Sequence, residues 1–506
     1  MCDKNLKSIF PDLRHDAVSF HMPGHKGRLI FSDVPNDFLR YDLTELPGMD
    51  NLIQPESWIK MLTNRISEFY GSAASRILVG GSTAGILAAI LGTARLYAKP
   101  IRAVVNRNAH ISVYNAVEIA GIHAKYVTPA ETNGVFSHFD LSALLHEIEE
   151  ADMLVLTYPF YQGALYEIGR IIAEAKRRNP EIVIIVDEAH GAHLVLAEKL
   201  HNRRISSLSW GADIVIQSFH KTLPALGQTA VLHYGNTEKG HALASRGTEI
   251  HSVEWYMKAL QTTSPSYLML KSVSQMMDLL EREGTTLYRN LLDNIRCFYE
   301  ETGLSPFSYE GKAVQDESKI LLPFASQDAF IARGIYPEME LDGRVLFLSS
   351  IANSKQDFER LSEAVQFLGG REMSEGANSA DNDKLSAAMS VPISAAMPVS
   401  IPAAMPEEKP TRADLESRLL RYGSVNKTVP LRSSNAGIEK LDAEDGFIGD
   451  EHVRVVEVSA IDAVGMVSAE TLVLYPPGSP LILKGEVFQR EVAPLLGEIK
   501  VKIQAI

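Results

Sequence analysis

Two neighbouring stretches decide the reading of this chain: VDEAHGAH at 186–193 and QSFHKTLPALGQ at 217–228. Each opens where an apolar, β-branched run closes, IVIIVD (182–187) and DIVIQS (213–218). Runs of that kind are strands buried on both faces of a parallel sheet. Asp187 then ends one strand, and Lys221 sits just past the end of the next. Side chains at the carboxyl ends of adjacent parallel strands converge on one crevice, where ligands of such sheets bind. A partly desolvated lysine loses its proton and acts as an amine nucleophile, forming a Schiff base. A lone Asp and Lys would more simply form a surface ion pair. His190, His193, Ser218 and His220 crowd the same loops, which favours the crevice.

Outward from these loops the pattern repeats. RILV (76–79), RAVVN (102–106), AKYVT (124–128), MLVLT (153–157) and TAVLHY (229–234) bring the strand candidates to seven. Helical stretches such as TAGILAAILGTARLYA and GRIIAEAKRRN separate most of them. The expected class is therefore α/β, with a mostly parallel seven-stranded sheet covered on both faces. Residues 1–70, punctuated by Pro and Gly, read as an N-terminal arm, and 71–300 as the large domain, closing on a long helix near Tyr267–Thr302. Residues 301–371 read as a small domain with strands near KILLPF and RVLFLSS. An octad then recurs: SAAMSVPI (386–393), SAAMPVSI (394–401) and PAAMPEEK (402–409). Proline in each copy interrupts a helix, so 372–411 read as a low-complexity linker, with a partner-binding motif the alternative. A C-terminal domain, 412–506, follows.

Further strand ends carry polar groups. GGSTAG (80–85) places Ser82, Thr83 and Ala84 at a helix start, where backbone N–H groups and hydroxyls can receive a phosphate or simply cap the helix. In NRNAHISVYNA (106–116), His110 can stack on a flat ring, or cap and pack. TYPFYQG (157–163) and TTSPSY (262–267) are two more turns of this type. DEAH also occurs in helicases, but that reading needs a phosphate loop ending in Gly-Lys-Ser/Thr, and the single Gly-Lys pair, Gly311-Lys312, precedes Ala313. Lysine, an acid partner for a ring nitrogen and a phosphate cup are together what pyridoxal phosphate chemistry requires.

Composition narrows the class further. The chain has 506 residues, 45% hydrophobic and 22% charged, which excludes global disorder and suits two to four domains. Its net charge of -14 opposes nucleic acid and anionic membranes, while suiting a cationic small substrate. Only Cys2 and Cys297 occur, no run nears about 18 apolar residues, and the start MCDKNLKSIFPDL lacks an apolar signal core, so a cytoplasmic enzyme is expected. No metal-ligand spacing stands out.

In order, HMPGHKG (21–27), DLTELPGMDNL (42–52), GGSTAG, RNAHISVYNA, VDEAHGAH, SFHKTLPALGQTAVLH, TTSPSY and YPPGSPLILKGE (475–486) resemble the Orn/Lys/Arg decarboxylases, from about residue 18 to 490. That family implies the aspartate-aminotransferase fold (fold type I) and pyridoxal 5'-phosphate. It makes Lys221 the Schiff-base lysine, Asp187 the partner of the pyridine nitrogen, His110 and Ala189 the two faces around the ring, and His190 the neighbour of its phenolic oxygen. Ser82, Thr83, Ser218 and His220 would surround the phosphate, and Ser264 would reach the phosphate of a second subunit. Glu45 and Glu486 would lie on the substrate side; Asp50 is another acid available there. Lys221 and His220 are the candidate acids that reprotonate Cα. The resemblance is to the short form, without a preceding wing domain, acting as a dimer or larger on arginine first, then lysine, then ornithine. Gly80, Gly227 and Lys484 replace the usual Asn, Thr and Pro, and the chain between Asp316 and Glu338 reads as shortened. An acyl-CoA transferase with the same DEAHG lacks HMPGHKG and YPPGSP, and a silent scaffold would have lost Lys221 or Asp187.

Overall fold

A computed structural model describes residues 41–376, except 47, 48, 98, 248, 325 and 342, and parts of 438–505, chiefly strands. HMPGHKG, the octads, Lys484 and Glu486 lie outside the described residues.

All seven expected strands form and join one sheet. They are β1 (Ala74–Leu78), β2 (Arg102–Asn106), β3 (His123–Val127), β4 (Met153–Thr157), β5 (Val183–Asp187), β6 (Ile214–Ser218) and β7 (Ala230–Tyr234), in spatial order β1-β7-β6-β5-β4-β2-β3. β7 runs antiparallel to both neighbours, and β6, β5, β4, β2 and β3 are mutually parallel. Successive residues face opposite sides of a strand, and the core divides accordingly. Leu154, Leu156, Ile184 and Val186 enter one apolar layer; Met153, Val155, Val183 and Ile185 enter the other. A strand committed to both layers needs apolar residues throughout, which is why MLVLT and VIIVD carry no alternation.

The helix Gly81–Ala94 crosses the second layer and is buried almost all round. Its small residues permit that approach. A Cβ on Gly85 would lie 2.5 Å from Leu78 Cδ1, and one on Gly92 would lie 2.4 Å from the Val253 backbone nitrogen. The 36-residue helix Tyr267–Thr302 packs on the other layer, as does Trp58–Tyr70, whose Trp58, Ile59, Leu62, Ile66 and Tyr70 are buried. The small sheet pairs β8 (Lys319–Leu322), β9 (Met339–Leu341) and β10 (Arg344–Leu348) antiparallel, in the order β8-β10-β9. Its Ile320, Leu322, Val345 and Phe347 belong to the same apolar cluster as the first layer. The helix Lys355–Gly376 runs past 372, where the low-complexity composition begins. Beyond it, Ile438–Leu441, Thr471–Leu474 and Ser479–Ile482 form one antiparallel sheet, and Arg454–Ser459 pairs with Lys500–Ala505.

Candidate active site

The carboxyl ends of β2, β4, β5 and β6 surround a cavity of about 330 Å³. Backbone register brings the ends together. Thr157 lies opposite Asp187, and Tyr158 N–H donates to the Asp187 carbonyl at 2.9 Å. Asn106, last in β2, accepts from Thr157 N–H at 2.9 Å and donates to Asn108 Oδ1 at 2.8 Å, so its amide clamps two strand ends.

Asp187 ends β5 with its side chain buried, accepting from Ala189 N–H at 3.2 Å. Burial pushes its carboxyl above the ordinary value, and the Lys221 charge and the Ala189 N–H pull the other way. Lys221 belongs to the one-turn helix Phe219–Thr222 that follows β6. Its Nζ stands 3.1 Å from His190 Nε2. Burial lowers the lysine's pKa, against Asp187 and Glu338, which favour the ammonium. Burial also holds His190 well below the usual histidine value, helped by the nearby Lys221 and Lys319 charges. The result is a neutral imidazole facing an amine that releases its proton more readily than a surface lysine.

His110 both caps a helix and faces the cavity. Its Nδ1 accepts from Ser112 N–H at 3.2 Å, capping the helix Ile111–Ala120, while its ring lines the cavity. Burial, with Lys221 adding to it, pushes it down to about 4, so the ring is neutral at pH 7 with its proton on Nε2. Gly80, Gly81, Ser82 and Thr83 line another wall, where the helix Gly81–Ala94 starts without a side-chain cap. The Gly81 N–H is used by the Gln228 carbonyl at 2.9 Å, and the remaining free amides of that turn form a ready anion seat. Gly80 leaves the cap position without a side chain, which keeps the seat open. A Cβ on Gly227, by contrast, would meet nothing within 4 Å. His220 completes this side, its Nδ1 bonded to the Thr229 carbonyl at 2.9 Å.

The cavity thus gathers Ser82, Thr83, His110, Asp187, Ala189, His190, His220 and Lys221. Ala84 and Ser218 are buried nearby without lining it, and Ser218 Oγ has no partner among the described residues. Ser264 is exposed in the turn before the long helix, its N–H donating to Thr262 Oγ1, and does not reach this chain's cavity. Glu45 does not line it either. An unpartnered hydroxyl, an uncapped helix start, neutral histidines and a lysine–carboxylate pair fit a flat, phosphorylated cofactor carrying a basic ring nitrogen.

Asp50 has a structural duty instead of a substrate-facing one. Its Oδ1 accepts from Asn51 and Glu56 N–H and its Oδ2 from Ser57 and Ile59 N–H, at 2.8–2.9 Å. Burial raises its pKa, but these four bonds outweigh that and hold it below the usual carboxylate range. Asp50→Ala should lower stability by about 2–3 kcal/mol, because buried amides lose a charged acceptor; an unchanged urea midpoint would refute that duty.

Several groups have roles that the sequence did not assign. Tyr161, inside the flagged TYPFYQG, lines the cavity with its ring centroid 4.8 Å from that of His190 and its hydroxyl on Glu338. Lys319 is fully buried, with Nζ 3.0 Å from the Tyr161 carbonyl and its pKa brought down to about 8 by burial. His193 joins Asp316 at 3.0 Å, tying the DEAHGAH loop to the segment before β8. Glu188 accepts from Ser206 Oγ, Ser207 N–H, Ser207 Oγ and Gln217 Nε2, and burial pushes it up to about 7. Tyr161, Glu188 and His193 lie in stretches that stood out in the sequence, whereas Lys319 and Glu338 carried no signal there.

The architecture is the aspartate-aminotransferase-like α/β class, fold type I. Solved structures of the Francisella novicida lysine decarboxylase LdcF (TM-score 0.64, 16% identity, 99% of this chain and 80% of that one) and of lysine decarboxylase A from Pseudomonas aeruginosa (0.66, 17%, 95% and 73%) share the fold. The model for the Orn/Lys/Arg decarboxylase major domain matches residues 6–309, more than half of the chain, and the chain belongs to that family. It is a decarboxylase. Among curated relatives, the uncharacterized protein YaaO of Bacillus subtilis (strain 168) is 28% identical over 97% of this chain and 93% of its own length. Arginine decarboxylases of Halalkalibacterium halodurans and Bacillus subtilis are 23% and 24% identical over 95% and 94% of this chain and 90% and 89% of theirs.

Proposed function

We propose that the chain decarboxylates a basic amino acid, arginine ahead of lysine and ornithine, using pyridoxal 5'-phosphate, and releases agmatine or a diamine for polyamine formation. The observation that carries this is that Lys221 and the buried Asp187 line one cavity beside an uncapped helix start. The order of substrates rests on the arginine decarboxylases among the relatives.

When bound, the cofactor supplies an aldehyde and an electron-accepting pyridinium ring. Lys221 would hold that aldehyde and give it up to the substrate amine. Ser82, Thr83, Ala84, Ser218 and His220 would hold the phosphate, His110 and Ala189 the ring faces, and His190 the phenolic oxygen. Asp187 would keep a proton on the ring nitrogen, so that electrons leaving the Cα–carboxylate bond are accommodated. After carbon dioxide departs, Lys221 or His220 returns one proton to Cα. Ser264 of a second copy would complete the phosphate seat, making the working form a homodimer or larger, in the cytoplasm. Among the described residues, no helix is long and apolar enough to cross a membrane.

The distal cation needs a carboxylate. Glu338, the residue before β9, is the acid we assign to it: it does not itself line the cavity, but it holds the Tyr161 hydroxyl on the cavity wall and acts electrostatically on Lys221. Glu45 and Glu486 would contribute from the substrate side. Carbon dioxide release from a panel of arginine, lysine, ornithine and neutral amino acids tests the reading, with arginine expected to show the highest kcat/KM. Glu338→Gln should raise KM for the basic substrate about five-fold, the scale of one partly exposed charge pair, with kcat nearly unchanged. Equal turnover of a neutral amino acid would refute the substrate class.

A further inference from the structure

The loop from Thr157 to Glu167 has two faces. Thr157, Pro159, Tyr161 and Gln162 line the catalytic cavity, whereas Tyr158, Leu165, Tyr166 and Glu167 line a second one of about 460 Å³. The charged side chains of the second cavity are four cations, Arg170, Arg203, Arg204 and Lys312, against the single carboxylate Glu167. Glu167 is already engaged by Arg170 at 3.2 Å. Arg203, Arg204 and Lys312 have no ion-pair partner among the described residues; Arg204 instead lies over the Trp210 ring at 5.6 Å. Three unpaired cations around one hollow repel each other, and in a chain of net charge -14 their grouping runs against the overall sign. Neither the basic substrate nor its dicationic product suits such a place.

We propose that this cavity binds a small polyanion bearing two or more phosphate or carboxylate groups, and that its occupation alters catalysis through the shared loop. Its cations converge from three segments: the first turn of the helix Ile168–Arg178, the loop before Ile205, and the segment beside Gly311. Guanidinium and ammonium groups brought to one cavity from separate segments match an anion with separated charges, which a single chloride cannot bridge.

Direct bonds lead from this cavity to the catalytic one. Tyr166 Oη donates to the carbonyl of Thr157 at 2.8 Å, and Tyr158 Oη to that of Ile205 at 2.9 Å. Ser206 Oγ and Ser207 N–H, next along from the two arginines, donate to Glu188 at 2.7 and 2.8 Å. Glu188 adjoins Asp187 in the chain. An anion drawing Arg203 and Arg204 inward therefore pulls on both the wall carrying Tyr161 and the strand end carrying Asp187.

The test is calorimetric titration of the cofactor-loaded protein with pyrophosphate and, separately, citrate, at constant ionic strength with sodium chloride as control. Saturable binding of either polyanion is expected, at least tenfold weaker in Lys312→Ala and lost in the Arg203→Gln/Arg204→Gln double variant. The preferred anion identifies phosphate or carboxylate as the natural chemistry. Both variants should keep the parent's turnover without added anion, whereas the anion should shift KM or kcat in the parent alone. Binding equal in parent and variants, or heats no larger than those of chloride, overturns the site. Saturable binding with unchanged kinetics overturns the coupling. Because binding is read directly, these outcomes stay separate from any failure of the substrate assignment.

Discussion

Lys221→Ala is expected to lose turnover by on the order of 10⁴-fold or more, the scale reached when a covalent nucleophile is removed. Among the described residues, no other amine lines the cavity to replace it. Lys319, though buried and near enough to interact electrostatically with Lys221, is held by the carbonyl of Tyr161 and does not line the cavity. Borohydride treatment should fix the cofactor to the parent chain and not to this variant, while circular dichroism stays the same, since Lys221 belongs to a single helical turn at the cavity wall. Parent-like turnover, or borohydride-fixed cofactor in the variant, would overturn the assignment.

Asp187→Asn should keep the fold and cofactor binding yet reduce kcat by about 10²–10³-fold, the cost of removing one preorganised charge-stabilising group. Asparagine keeps the shape and can still accept the Ala189 N–H, but cannot hold a proton on a ring nitrogen. A second effect follows from sign. Burial depresses the Lys221 pKa, and the Asp187 charge opposes that depression. Without the carboxylate the ammonium is less favoured, so the amine is neutral at a lower pH. The acid limb of cofactor capture, followed by absorbance, should move toward lower pH in Asp187→Asn; a shift toward higher pH would contradict the electrostatics described above.

Much of this was legible before any coordinates. The central strands were the most readable because a strand committed to two apolar layers leaves an uninterrupted signal, and VIIVD and IVIQS are buried at every position, whereas the edge strand His123–Val127 is buried at none. Asp187, Lys221, His110 and His190 stood out for a related reason: polar residues at or within a few positions of the end of such a run sit where a parallel sheet opens to a ligand, and the fold brings these four to one cavity. The long helix was readable at both ends, from the TTSPSY turn to the left-handed Gly303 that closes it. Ser264 stood out with the same clarity, yet it is exposed and lies outside this chain's cavity, because a turn motif does not say which way the folded chain carries it.

What the local sequence determined is the order of strands and helices and the residues at strand ends, since burial and periodicity act along the chain. What only the tertiary structure decided is which distant groups share a space. Asp50 could not be told from a substrate acid until its backbone donors were seen. Lys319 begins an ordinary strand and Glu338 immediately precedes one, yet packing of the small sheet sets the first beneath the Tyr161 loop and the second on the Tyr161 hydroxyl. Arg203, Arg204 and Lys312, about a hundred residues apart, become one cationic hollow only through folding. Electrostatic interaction depends on distance in space and on exclusion of water, and neither is written in the spacing along the chain.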